Sequence, residues 1–275
     1  MFISDIKRMA RSRSVEVLFL VLAAVMVLDP ISIKLLTMKF PDIYSITGTN
    51  PYQFWLLINS AGWGNQVYDA LFWVIPVLVS GSIYWNEQHS SIAIFLIIKN
   101  SRKKYYCSKI LSTFIFSFCF LFSLLCMNLI VTYTCFSLSS PITKQYEFLI
   151  PTIGTYAYEL YEISPFGMSV FFSFINALAI SILAVFSMAT QALVKISNKY
   201  IALVFPVIAI FAVTFVFDAI PALHGYDLKI IIQPRASTSM THLITQNDFE
   251  RTLLGWCFIT IVLLWGGYLR NEDML

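Results

Sequence analysis

The chain has 275 residues, of which 58% are hydrophobic and 12% are charged, and its mean hydropathy is +0.76. Soluble domains carry roughly 25% charged residues, so this composition excludes a soluble globular protein. The net charge of +3 comes without a large basic patch, which argues against nucleic acid as a partner. We therefore predict an all-α, polytopic integral membrane protein.

Six apolar segments are candidates for membrane-spanning helices, because a helix needs roughly 20 mostly apolar residues to cross a hydrocarbon core of about 30 Å. A secretory signal peptide is the alternative for the first 30 residues, but no small-x-small cleavage site follows the apolar core. We predict a single transmembrane domain over residues 1–275, with spans at about 15–33, 70–85, 110–136, 167–194, 201–217 and 253–268.

The distribution of Lys and Arg predicts the orientation of these spans, since both residues favour cytoplasmic ends. With the amino terminus inside, most of the 18 Lys and Arg residues fall in cytoplasmic segments. We therefore expect a multi-pass protein of the cell membrane with both termini in the cytoplasm. The abundance of Ile, Phe, Lys and Asn is typical of an AT-rich bacterial genome and favours a bacterial source.

A cytoplasmic hairpin is predicted between the second and third spans. The seven apolar residues from Ile92 to Ile98 are too few to cross a membrane, so they must lie along its surface, extend a neighbouring helix or dock in another protein's groove. A helix here is apolar nearly all round, which favours a partner. The alternative is a basic surface loop without a partner. The cations that follow the apolar residues are Lys99, Arg102, Lys103, Lys104 and Lys109.

Polar residues inside the predicted spans are candidates for function because they are costly in lipid. Asn128 and Asn176 lie deep, where they form either interhelical hydrogen bonds or part of a polar translocation path. Glu16, Asp29 and Asp69 lie near span ends, where we expect water to reach them.

Motifs for catalysis and metal binding are absent from the sequence. There is no phosphate-binding loop, no H-E-x-x-H and no G-x-S-x-G. The five cysteines show no C-x-x-C spacing, and the three histidines are scattered. We therefore predict no catalytic residue, no metal site and no ATPase activity in this chain.

The span layout and the hairpin resemble the membrane permeases of type-2 ABC exporters, a class that includes many polysaccharide, drug and bacteriocin transporters. In that family an amphipathic helix precedes the first span, and the stretch from Met1 to Ser14 is similar to it. The family's cytoplasmic coupling helix starts after an acidic and a small residue and ends before an Arg and, seven positions on, a Lys. Here Glu87 and Ser90 precede the apolar residues, and Arg102 and Lys109 follow them.

The resemblance implies that two permease chains, as a homodimer or a related heterodimer, form the transport pathway. Two copies of a separate ABC ATPase subunit bind ATP and Mg, so this chain itself holds no cofactor. Movement of the docked hairpin then switches the spans between inward-facing and outward-facing arrangements. The residues expected to couple to the ATPase are Glu87, Ser90, Ile92, Phe95, Leu96, Lys99, Arg102 and Lys109.

The cargo and the loop before the last span complete these expectations. We expect export of a peptide, an antibiotic-like or another amphipathic molecule, with lipid or glycan as the alternative cargo. A non-transporting immunity or receptor protein that binds a peptide at the outer face is the alternative function. The resemblance suggests that residues 218–251 form a lid over the pathway exit. The pieces "DAIPAL" and "LKIIIQP" could enter the membrane, and a passive connector is the alternative.

Overall fold

The chain is almost entirely helical over the residues that the computed structural model describes, which are 1–41, 50–59, 62–90, 92–136, 154–194, 196–220, 223, 226–233, 238–239 and 242–270. The exception is a two-stranded antiparallel pair, in which Thr238 pairs with Leu243. The elements in chain order are α1 (Phe2–Ala10), α2 (Arg13–Lys39), α3 (Pro51–Phe54), α4 (Trp63–Leu71), α5 (Ile75–His89), α6 (Ile92–Asn100), α7 (Arg102–Cys135), α8 (Tyr158–Ile163), α9 (Pro165–Leu193), α10 (Lys199–Ala219), α11 (Leu228–Ile232), β1 (Thr238–Ser239), β2 (His242–Leu243) and α12 (Gln246–Arg270).

Within the described residues, five helices are long and apolar enough to cross a membrane: α2, α7, α9, α10 and α12. The pair α4 and α5, which meet at an angle of 50°, makes a sixth span if the two are counted together. The chain is therefore a polytopic helical membrane protein, as its composition predicts. We call the end of the bundle that carries α1 and α6 the hairpin end, and the end that carries α3, α4, α8 and α11 the opposite end.

The second predicted span, at 70–85, falls on a bent pair of helices, because the chain turns between α4 and α5. Pro76 lies in the first turn of α5. Proline has no backbone N–H, so the carbonyl of Phe72 cannot receive its usual helical hydrogen bond. The helix breaks there and changes direction. Helix α7 starts at Arg102, before the start of the third predicted span at 110, which places Lys109 inside the helix.

Helix α9 is the central element of the bundle. In the most apolar stretch of α9, 78% of the residues are buried, whereas the corresponding fractions are 17% for α10 and 22% for α12. The buried residues of α9 include many small ones, which allow helices α5, α7, α10 and α12 to pack against it closely. The outer helices therefore keep broad apolar faces that can contact lipid.

Two buried amides compensate for prolines inside membrane-spanning helices. Pro30 in α2 leaves the carbonyl of Met26 without a helical donor, and the Asn128 side chain donates to it at 2.8 Å. Pro206 in α10 likewise leaves the carbonyl of Ala202 without a helical donor, and the Gln191 side chain donates to it at 2.8 Å. Each carbonyl that a proline leaves without its helical donor is thus hydrogen-bonded by an amide from a neighbouring helix, as a medium without water requires.

A non-helical segment between α3 and α4 is buried at the opposite end. Its backbone is satisfied by two asparagines: the Leu56 N–H donates to Asn128 Oδ1 at 3.3 Å, and the Leu56 carbonyl accepts from Asn65 Nδ2 at 2.6 Å. Asp29 is also fully buried there and accepts a hydrogen bond from the Gly64 N–H at 2.9 Å. The expectation that water reaches Asp29 is therefore wrong, because the carboxylate is covered by the start of α4.

Helix α11 enters the core of the bundle. The carbonyl of Ile232 accepts from Asn176 Nδ2 at 2.7 Å, and the carbonyl of Ile231 accepts from the Tyr156 hydroxyl at 2.7 Å. Both isoleucines are buried. Residues 221–222, 224–225, 234–237 and 240–241 of the predicted lid lie outside the described residues, and the lid itself stays a prediction.

Candidate functional site

Helix α6 has one face packed on the bundle and one face exposed. Ala93 is buried against Tyr105 and Tyr106 of α7, and Leu96 and Ile97 pack beside it. The other face is apolar yet exposed, with Phe95 at 65% and Ile98 at 75% of full exposure. Burial of such side chains is favourable in proportion to the apolar area covered. The exposed face of α6 is therefore a surface suited to contact with a partner or lipid.

A tight turn joins α6 to the long helix α7. Ser101 connects them directly and has a φ of 67°, a left-handed conformation that residues other than glycine rarely adopt. The Tyr105 N–H then donates to the Ser101 carbonyl at 3.1 Å and begins the next helix. Because only this residue separates the two helices, the position of α6 is tightly linked to that of the start of α7.

A cluster of four charged residues, three buried and one half-buried, lies beside this hairpin. Lys109 Nζ of α7 is 2.7 Å from Glu87 Oε1 at the end of α5 and 2.7 Å from Asp5 Oδ1 of α1. Arg8 of α1 is 2.7 Å from Glu87 Oε1 and also pairs with Asp5. Asp5 and Glu87 are 2% and 3% exposed. Two cations thus neutralise two buried carboxylates, and we call this set the charge cluster.

The remaining carboxylate oxygens of the charge cluster are also hydrogen-bonded. The Tyr105 hydroxyl donates to Glu87 Oε2 at 3.1 Å, and the Ser108 hydroxyl donates to Asp5 Oδ2 at 3.1 Å. Buried charges are tolerated when they are both paired and hydrogen-bonded. Because its members come from three helices, the charge cluster ties α1, α5 and α7 together next to α6.

Three other residues of the predicted coupling set lie at the edges of this site. The Ser90 hydroxyl donates to the Glu87 carbonyl at 3.4 Å and follows the last turn of α5. The Arg102 guanidinium lies 4.2 Å from the ring centre of Tyr268, which connects the start of α7 to the end of α12. Lys99 is exposed at the end of α6.

The predicted coupling residues therefore divide into two groups. Ile92, Phe95 and Lys99 are exposed on α6, whereas Glu87 and Lys109 are buried and pair with each other. Leu96 belongs to the packed face of α6. Fewer residues than predicted are therefore available to a partner, because Glu87 lies inside the bundle.

Sequence reasoning missed the contribution of α1 to the charge cluster. Asp5 is the one acidic residue of an otherwise basic, amphipathic helix, and Arg8 follows it by one helical turn. An acidic residue on the apolar face of an amphipathic helix indicates that it pairs with a cation inside the protein. The Tyr105 hydroxyl also bonds to Glu87, and no motif in the sequence indicates this contact.

The two asparagines predicted as candidates for a translocation path lie away from this set of contacts. Asn128 bonds to Met26 and Leu56, and Asn176 bonds to the Phe172 and Ile232 carbonyls. Asn176 Oδ1 also accepts from a tyrosine hydroxyl at 2.9 Å. Interhelical hydrogen bonding, one of the two alternatives, accounts for these contacts, and a role in transport stays a prediction.

The site offers electrostatic and mechanical properties rather than reactive groups. Among the residues that the structure describes, no three His, Cys, Asp or Glu side chains lie close enough to hold a metal ion. Comparison of the chain with protein-family models, with curated proteins and with solved structures finds no match. A functional assignment therefore depends on the geometry of α6 and the charge cluster.

Proposed function

We propose that this chain is the membrane permease subunit of an ATP-driven exporter and that α6 is the element on which a separate ATPase subunit acts. The observation that supports this proposal is the exposed apolar face of α6, held at the junction of two membrane helices. A short apolar helix in such a position is suited to a hydrophobic groove on a partner. The same arrangement agrees with the resemblance of the hairpin to a coupling helix.

The charge cluster supplies a route by which motion of α6 reaches the spans. Force on α6 passes to α7 through the single residue Ser101 and through the packing of Ala93 on two tyrosines. Lys109 then connects α7 to α5 and α1 through Glu87 and Asp5. A partner that closes and opens can thereby bias two arrangements of the helices, provided that it binds one of them more tightly.

The proposal includes the remaining components that an exporter needs. Two ATPase subunits bind ATP and Mg, and a second permease chain, identical or related, completes the pathway. The hairpin end then faces the cytoplasm of a bacterial cell, in agreement with the excess of Lys and Arg on that side. The aromatic content of 16% suits a peptide, antibiotic-like or other amphipathic cargo.

The test is a charged substitution on the exposed face of α6. F95D together with I98D places two carboxylates where the partner groove would bury them, and an unpaired buried charge costs several kcal/mol. We expect loss of copurification of the ATPase subunit and loss of ATP-driven transport. Leu96 is unsuitable for this test because it packs within the bundle.

Y200D is the matched control, because Tyr200 is an exposed aromatic residue at the start of α10, with 78% of its surface accessible. The control should keep the ATPase. Equal loss in both proteins indicates a general defect of membrane insertion and contradicts the proposal. A wild-type protein that binds a peptide at its outer face and purifies without an ATPase supports the immunity or receptor alternative.

A further inference from the structure

An apolar groove of about 370 Å³ lies between α7, α9 and α12, in the part of these helices nearer the hairpin end. One wall is a stripe of α7 at helical spacing, formed by Cys107, Leu111 and Phe114. The other wall is the matching stripe of α12, formed by Cys257, Ile261 and Leu264. Two residues of α9 form the floor. Leu111 and Ile261 are exposed on its walls, so the groove opens on the outer surface of these helices, where lipid can reach it.

The one hydroxyl in the groove is used within its own helix. The Thr260 side chain donates to the carbonyl of Trp256 at 2.7 Å, so its hydroxyl hydrogen is not available to a ligand. The lining therefore presents hydrocarbon and sulfur atoms. Such a lining is suited to an alkyl chain and offers nothing for a polar ligand to bind.

Two lysines lie at the hairpin end of the α7 stripe. Lys103 and Lys104 precede Cys107 by four and three residues, which places them one turn away on the same face of the helix. Both are exposed, and neither forms a salt bridge within the described part of the chain. The neighbouring cations differ, since Arg102 stacks on Tyr268 and Lys109 is buried in the charge cluster.

We propose that the groove binds one anionic phospholipid, with an acyl chain between α7 and α12 and the phosphate at Lys103 and Lys104. Lysine stems lie along apolar surface while their ammonium groups stay in the headgroup region, where anionic lipids provide the counter-charge. The order of cations and apolar residues along the α7 stripe matches the order of phosphate and alkyl chain in such a lipid.

A second copy of this chain is the other occupant to consider. An apolar helix bound in the groove would cover the first residues of the α7 stripe. It would also desolvate the two lysines without supplying an opposite charge. Burial of an uncompensated ammonium group is unfavourable. The charge next to the groove therefore favours lipid over a helix of a second copy.

The experiment uses the full chain reconstituted in vesicles of phosphatidylglycerol and phosphatidylcholine, each supplied in turn with a photoactivatable acyl chain. We expect phosphatidylglycerol to label peptides of α7 and α12 at the groove. K103Q together with K104Q should reduce the preference for phosphatidylglycerol about tenfold, because each cation near a membrane surface contributes to binding of anionic lipid. The matched control is K7Q with K199Q, two exposed lysines at the hairpin end outside the groove.

Filling the groove tests the acyl chain separately from the charge. C257F and L111W should each remove labelling by both lipids, whereas C119F, at an exposed cysteine elsewhere on α7, should leave it unchanged. L111W adds bulk at a half-exposed position, so it serves if C257F fails to fold. Unchanged labelling in L111W, or a crosslink between Cys107 of two copies in place of lipid, overturns the proposal.

Discussion

The charge cluster at the hairpin end and the Asn128 and Asp29 contacts at the opposite end hold the helices in different ways. At the hairpin end, charged side chains from α1, α5 and α7 contact one another. At the opposite end, side chains contact backbone: Asn128 holds Met26 and Leu56, and Asp29 holds the Gly64 N–H. An ion pair between two side chains joins helices whose backbones can still shift. A hydrogen bond from a side chain to a backbone atom instead fixes the path of the backbone.

Physical reasoning connects this difference to movement. Coulomb attraction between charges falls slowly with distance, so long side chains such as Lys109 and Arg8 can keep their partners while helices move. A hydrogen bond to a backbone atom weakens steeply outside a narrow range of distance and angle. The hairpin end is therefore suited to transmission of motion, and the opposite end to a fixed closure of the bundle.

The largest effect is expected for removal of the central cation of the charge cluster. K109M leaves Glu87 and Asp5 with Arg8 alone, and loss of one partner from a buried ion pair costs about 3–5 kcal/mol. We expect the free energy of unfolding, measured by denaturant titration in detergent, to fall by this amount. K104M is the control, because Lys104 is exposed. Equal stability of K109M and K104M contradicts the charge cluster as a structural element.

A smaller effect is expected when the amide at the opposite end is removed. N128L leaves the Met26 carbonyl without its donor, at about 1–3 kcal/mol for an unsatisfied buried group, and the longer bond to the Leu56 N–H, at 3.3 Å, contributes less. The same titration measures the loss of unfolding free energy.

A double-mutant cycle tests whether Pro30 is the reason that the Met26 carbonyl needs the Asn128 side chain. P30A restores an N–H that can donate to the Met26 carbonyl, so P30A with N128L should be more stable than N128L alone. Strictly additive effects of the two substitutions contradict the compensation of Pro30 by Asn128.

A methyl group added at Gly64 tests the close contact with Asp29. A Cβ atom there lies 2.6 Å from both Cβ and Cγ of Asp29, so α4 has to move away from α2. We expect G64A to lower the free energy of unfolding by about 1–3 kcal/mol, as overpacking does in a dense core. In the control G62A, the atom nearest to the added Cβ is a carboxylate oxygen at the end of the Asp29 side chain, at 3.0 Å. The control should therefore lose less free energy of unfolding. Equal losses indicate that the contact with Asp29 is not tight.

The spanning helices could be predicted from the sequence because lipid imposes one rule on every backbone group: long apolar helices form. Helices α2, α7, α9, α10 and α12 each overlap a predicted span. The bend at α4 and α5 was missed because hydropathy does not register the N–H that Pro76 lacks. The exposed stretch of α6 was predicted, since seven apolar residues beside cations cannot span.

The partners within each site could not be predicted, because they depend on how distant helices meet. Pro30 indicates that a carbonyl needs a donor, yet nothing in the sequence indicates that Asn128 provides it. In the same way, Glu87 and Lys109 belong to the predicted hairpin, but the position of Asp5 beside them results from the docking of α1. Tertiary packing decides these pairs.

The smallest effect is expected at Tyr68, whose hydroxyl donates to Asn176 Oδ1 at 2.9 Å. Y68F removes this hydrogen bond and leaves the two bonds of Asn176 Nδ2, so we expect a loss of about 1 kcal/mol in the free energy of unfolding. N176L, which also frees the Ile232 carbonyl, should lose more. Transport measured in vesicles distinguishes a structural role from a role in the pathway. If Asn176 only closes the opposite end, transport by each variant should follow the fraction of folded protein. A loss of transport in Y68F at unchanged stability would instead show that the polar contacts of Asn176 serve the cargo.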